Sequence, residues 1–336
     1  TIDATFGLTT GGNTLSVTAD DIALNGTVNT GAAATTILIS DGGTIGLGAS
    51  AQNLTISGAE LQNITATGLT IGDTTNGNIT VDGITAANSN NITGSVTLNA
   101  TKDNASISFS GTASTFNAVI ANADDGISIG VDLSTDIGGL TLEGDADNAA
   151  DTNDNITFSA GTSLASFGNI ALDATTGKMT GAGGLTLNAR TGIAVNDNLT
   201  TLGATVINAD SNNNGASNFS VAAGAAISTS GNTLSVTAPD IVLTGTLNSG
   251  AALTTLIASN GGTIGLGATA GAFTLSGAEL QNITATGLTI GDTTSGNITV
   301  DGITAANSNN ITGTVTLNAT KDNAALSFSG TASTFN

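Results

Sequence analysis

Apolar residues alternate with Ser, Thr and Asn along almost the whole chain. LSVTA (15–19), NLTIS (53–57), GLTIG (68–72), NITVD (78–82), SVTLNA (95–100) and SISFS (106–110) set the pattern. It continues through LTLEG (140–144), ITFSA (156–160), IALDA (170–174), LTLNA (185–189) and IAVND (193–197), and LSVTA returns at 234–238. A period of two places every second side chain on one face, which predicts short strands with one buried side. Val, Ile and Thr supply the strand preference. The clusters between the strands hold Gly, Asn, Asp and Ser, which tolerate positive φ or bond their own backbone, and these predict tight turns. No segment of ten or more residues carries a helical pattern of apolar positions.

The same pattern also recurs at long range. Ser57–Gly94 reappears as Ser276–Gly313 with one change, Asn76 to Ser295. The correspondence holds without a gap from Asn13/Asn232 to Asn117/Asn336, and about four in five of the aligned positions are identical. Residues 1–117 and 220–336 are therefore equivalent parts of a 219-residue repeat, and 118–219 complete the period. Strands this short, recurring without a break or linker, predict an all-β chain. The expectation is one continuous solenoid over 1–336, a parallel β-helix of about 20 residues per coil. In a solenoid, exchanges between copies should keep volume at inward sites. Val28/Leu247, Ile37/Leu256, Leu38/Ile257, Leu54/Phe273, Ile56/Leu275 and Ile107/Leu326 fit that rule. Ala34/Leu253 and Ile39/Ala258 change volume in opposite directions, which predicts that the pair fills one void from two sides.

Composition narrows the function. The net charge is −21, with Lys102, Lys178, Arg190 and Lys321 as the only basic residues. Affinity for phosphate backbones comes from Lys and Arg, so nucleic acid is not an expected partner, and neither is an anionic membrane surface. No run of eighteen apolar residues exists, so no membrane insertion of this segment is expected. The absence of Cys excludes disulfides and thiol chemistry. His, Trp and Tyr are also absent, which removes the usual general base and the usual sugar-stacking rings. A carboxylate pair could hydrolyse a glycoside, but nothing here would bind or orient the sugar. The reading is not an enzyme, and no cofactor is called for apart from a candidate calcium.

Two stretches carry a resemblance. GLTLNARTGIAVNDNLTTLGATVINAD (184–210) and NIALDATTGKMTGAGGLTLNA (169–189) resemble the coils of filamentous-haemagglutinin-like adhesins, the giant exoproteins of two-partner secretion. Leu185, Leu187 and Ala189 match the first strand of that coil, Thr191 and Gly192 its turn, and Ile193 and Val195 its second strand. The resemblance implies a right-handed β-helix, exported and displayed at a bacterial surface or released outside the cell. It implies a mechanical and adhesive stalk whose partners are a host or neighbouring-cell surface or other copies of itself. The alternative is a self-assembling extracellular fibre, sheath or surface-layer component.

Two acidic loops are candidates for calcium. Asp210-Ser211-Asn212-Asn213-Asn214-Gly215 matches the first half of a calcium loop, in which Asp210, Asn212 and Asn214 would offer alternate side-chain oxygens to a hard cation. Position twelve of that loop, normally acidic, is Val221. The second loop contains Asp145, Asp147, Asp151 and Asp154. The competing reading for both is a solvated turn, and for the many Asn residues it is a side-chain amide ladder between coils.

Overall fold

The computed structural model describes residues 1–150 and 152–336. Strands dominate, and among the described residues they pair in parallel. The chain forms two compact units, Thr1–Gly168 with Leu172–Met179, and Asn169–Ala171 with Thr180–Asn336.

In the first unit, Leu15–Ala19, Ala34–Ile39, Gly68–Ile71, Val96–Ala100, Val119–Ala123 and Leu140–Glu143 lie side by side in that order. A second sheet runs Leu54–Ile56, Ile45–Gly48, Ile79–Asp82, Ile107–Phe109, Ile127–Ile129 and Ile156–Phe158. A third contains Ser114–Phe116, Leu133–Thr135 and Ser163–Ser166. Gly7–Thr9, Thr27–Asn29 and Ile64–Thr65 make a short fourth. The chain visits the sheets in turn and comes back to each one strand further on, which is the construction of a parallel β-solenoid.

The second unit is built the same way. Leu185–Ala189, Thr205–Asn208, Leu234–Ala238, Leu253–Ala258, Gly287–Ile290 and Val315–Leu317 form one sheet. Ile264–Gly267 lies between Phe273–Leu275 and Ile298–Asp301, and Leu326–Phe328 follows on the far side of Ile298–Asp301.

Coil length varies. The steps from Leu15 to Thr35 and from Leu185 to Thr205 have the length expected from the sequence. Those from Thr35 to Leu69 and from Thr254 to Leu288 are more than half as long again. Over the five steps from Leu15 to Leu140, the mean coil is a quarter longer than expected, and the five from Leu185 to Val315 run slightly longer still. The long coils carry an extra strand and a helix. Leu54–Ile56 pairs beside Ile45–Gly48 after only a short loop. Gly58–Gln62 then makes one helical turn. Gly48 has φ of 77°, and a Cβ there would sit 2.0 Å from the Asp82 carbonyl oxygen, so only glycine lets these two coils approach so closely.

The core follows the registers. Leu69, Val96, Val119 and Leu140 stack in line, as do Ile71, Leu98, Ala121 and Leu142, and all are at most 1% exposed. Fully burying one such side chain stabilises by about 1.5–3 kcal/mol, and the ladder repeats that gain at every coil. Some inward positions are polar. Thr35 and Thr254 are buried in the ladder, and their hydroxyls meet those of Thr30 at 3.2 Å and Ser249 at 2.8 Å. Pairing two hydroxyls at a corner removes the cost of burying either alone.

The exchanges between copies divide by face. Val28/Leu247, Ile37/Leu256, Leu54/Phe273 and Ile56/Leu275 are buried in both copies, as volume conservation requires. Leu38 and Ile257 are not core residues; they lie on the outer face of their strands. The expected compensation between Leu253 and Ala258 fails, because Leu253 is 42% exposed whereas Ala258 is 0% exposed. Residues five apart on a strand point to opposite sides, so they cannot share a void.

Candidate functional site

The Asp210 loop is closed by its own backbone. Asp210 is 2% exposed, and both of its oxygens are occupied. The Asn214 amide donates to Oδ1 at 3.0 Å, the Gly215 amide to Oδ2 at 2.9 Å, and the Ser259 hydroxyl to Oδ2 at 2.6 Å. Asn214 accepts the Ala216 amide at 2.8 Å, and Asn212 is exposed. The carboxylate is therefore turned inward onto the loop, and Asn212 and Asn214 remain at the surface.

The second acidic loop is arranged differently. Asp145 is 0% exposed and Asp154 is 3% exposed, while Asp147 is exposed and accepts the Ala149 amide at 2.8 Å. Asp151 lies outside the described residues. Thr176 joins the two buried carboxylates. Its amide donates to Asp145 Oδ2 at 2.6 Å, and its hydroxyl lies 3.0 Å from Asp154 Oδ2 and 3.2 Å from the Ala149 carbonyl oxygen. Asp145 Oδ1 is buried without a hydrogen-bond partner. Among the described residues, no three His, Cys, Asp or Glu side chains gather into a metal-holding group.

The nearly identical stretch Ser57–Gly94 is a clamp between coils. Ser57 caps the turn Gly58–Gln62: its Oγ accepts the Glu60 amide at 3.3 Å, while Glu60 Oε2 accepts the Ser57 amide at 2.9 Å. The other oxygen of Glu60 accepts the Leu24 amide at 3.0 Å, and Asn63 donates to the Leu24 carbonyl at 2.9 Å. Asn91 donates to the Gln62 carbonyl at 2.8 Å. The second copy repeats each contact with Ser276, Glu279, Leu243, Asn282, Asn310 and Gln281. Ser57–Glu60 carries the S-x-x-E signature of a capping box, but strand alternation hides it, because one helical turn is too short to show a period. One rung of the expected amide ladder is present, from Asn122 Nδ2 to Asn99 Oδ1 at 2.9 Å.

The one change within the clamp rewires a turn. Asn76 accepts the Asp73 amide at 2.6 Å and donates to the Gly77 carbonyl at 2.8 Å. In its place, Ser295 keeps the first bond, its Oγ accepting the Asp292 amide at 3.2 Å, and adds two to Asp292 Oδ1, from its amide at 2.8 Å and its hydroxyl at 3.0 Å. Burial by itself would raise the Asp292 carboxyl, but these bonds and the two from Thr294 outweigh it and hold the group below its ordinary value. Asp240 moves the other way. Burial pushes it up, the Thr274 and Ile241 amides oppose that, and the neighbouring Glu279 charge adds to it.

No helix among the described residues is long and apolar enough to cross a membrane. In comparisons with known proteins, the chain matches no family model, no curated protein and no solved structure. The fold thus defines the class, a parallel β-solenoid with an internal repeat.

Proposed function

We propose that this chain is a non-enzymatic stalk segment of a giant extracellular repeat protein of a bacterial surface, with a mechanical and adhesive role in cell-surface or cell–cell attachment. The observation that supports it best is the clamp at Glu60, rebuilt contact for contact at Glu279. A unit that reproduces its own inter-coil fastenings at every copy suits a protein lengthened by duplication. Its purpose would then be reach, with recognition of the host or neighbouring cell assigned to other parts. The filamentous-haemagglutinin-like resemblance of 169–210 agrees with surface display. Electron microscopy of the purified segment beside a version carrying one more copy of the repeat tests this. Separate particles that lengthen by a constant increment are expected; particles whose length does not change with copy number would overturn it.

A second reading, a self-assembling fibre, sheath or surface-layer component, is favoured by one observation. Ile137 is 57% and Leu202 62% exposed, each just after a strand that is paired on both sides. Ordered lattices or end-joined filaments on the same grids would select it.

A further inference from the structure

We propose that the corner built by Asp145, Ala149, Asp154 and Thr176 binds one hard divalent cation, and that calcium is the ion its all-oxygen donor set suits. The inference holds whether the chain serves as a stalk or as a fibre. It starts from the unmet oxygen. Asp145 is wholly buried, Thr176 satisfies its Oδ2, and Oδ1 of the same carboxylate has no donor. A buried carboxylate oxygen without a partner is costly, because it has given up water and received nothing.

The surroundings bring further oxygens to the same corner. The Thr176 hydroxyl has one proton and two acceptors within reach, the Ala149 carbonyl oxygen and Asp154 Oδ2, so it serves one at a time. Asp154 brings a second carboxylate, itself 3% exposed, to the same threonine. The Thr176–Gly177 backbone packs directly against Asp154, since a Cβ on Gly177 would lie 1.8 Å from the Asp154 carbonyl oxygen. Carboxylates, a backbone carbonyl and water are the ligands calcium takes, six to eight in all. The two carboxylates and the carbonyl provide the protein share of such a shell, and water completes it.

The Asp210 loop is the internal control. Asp210 is buried to nearly the same degree, yet amides and a hydroxyl occupy both of its oxygens. The chain can therefore build a self-sufficient buried aspartate. It does so at Asp210 and leaves Asp145 short.

The test is calorimetric titration of the full chain with calcium chloride at neutral pH after treatment with a chelator. The expected result is one ion per chain. Asp145→Asn should weaken it by at least about tenfold, while Asp210→Asn leaves it unchanged. If either variant fails to fold, the wild-type chain still decides: calcium should shift the amide resonance of Thr176 and leave those of Asn214 and Gly215 in place. Absence of calcium uptake by the folded wild-type chain, uptake unaltered in Asp145→Asn, or shifts at Asn214 and Gly215 would each overturn the proposal. Microscopy of particle length does not depend on this outcome, so the two readings fail separately.

Discussion

The two copies have nearly the same sequence and very different surroundings. LSVTA at Leu15–Ala19 alternates between half-buried and exposed, while the same five residues at Leu234–Ala238 alternate between buried and half-buried. The difference is one neighbour. Leu234–Ala238 lies between Thr205–Asn208 and Leu253–Ala258, whereas among the described residues Leu15–Ala19 pairs only with Ala34–Ile39. The relation reverses further along. Ile107–Phe109 is covered by Ile127–Ile129, and Phe109 is 1% exposed; among the described residues Leu326–Phe328 pairs on one side only, and Phe328 is 61% exposed. A strand in a solenoid contributes half of each contact, and its stability depends on which coil supplies the other half.

That comparison can be broken most forcefully at the phenylalanines. Phe109→Ala should cost about 3–5 kcal/mol, as for a large side chain removed from a packed core, and Phe328→Ala less than about 1 kcal/mol. Guanidinium unfolding of the full chain measures both. Equal losses would mean that the neighbouring coil does not set the energetics.

The clamps are the counter-case, since both copies make the same bonds. Glu60→Ala leaves the Leu24 and Ser57 amides without their acceptor and should cost about 1–3 kcal/mol. Glu279→Ala should cost the same, because Leu243 and Ser276 lose the same partners. Amide exchange at Leu24 and Leu243 reports each clamp locally. A loss confined to one copy would show that its surroundings, and not the capping box, hold the turn.

The smallest effect separates the copies by pH. Asp21 is exposed, whereas its equivalent Asp240 is half-buried and titrates above the ordinary carboxylate value. Between the ordinary value and the raised one, the folded chain holds more protons than the unfolded chain. This carboxyl therefore favours folding at low pH, and its contribution is lost as pH rises through that window. Asp240→Asn keeps an oxygen for the Thr274 amide and removes the charge. It should abolish that slope and leave the protein as stable or more stable at pH 7, by less than about 1 kcal/mol given the group's exposure. Melting curves from pH 3 to 8 would show it, and an unchanged slope would rule out Asp240 as its source.

Much of this is legible in the residues, and what is not has physical causes. The alternation in SVTLNA and LTLNA locates strands correctly, because period two is a local property. Volume alone pairs Leu253 with Ala258 wrongly, since it does not say which face each residue occupies. The capping box at Ser57–Glu60 is masked inside a strand-rich stretch, and with it the turn that lengthens the coil. The residues offer both Asp210 and Asp145 as calcium candidates, but that an oxygen of Asp145 goes unmet, beside a threonine 31 positions away, shows only in the structure. No motif spans that distance.

The sequence by itself determined the all-β class, the parallel solenoid and the long internal repeat, because each is a periodicity, and periodicity is written along the chain. Only the tertiary structure decided how long each coil is, which coil packs on which, and which buried aspartate oxygen goes unmet. Those depend on the coil placed next to it, and the strand's own residues do not encode their neighbour.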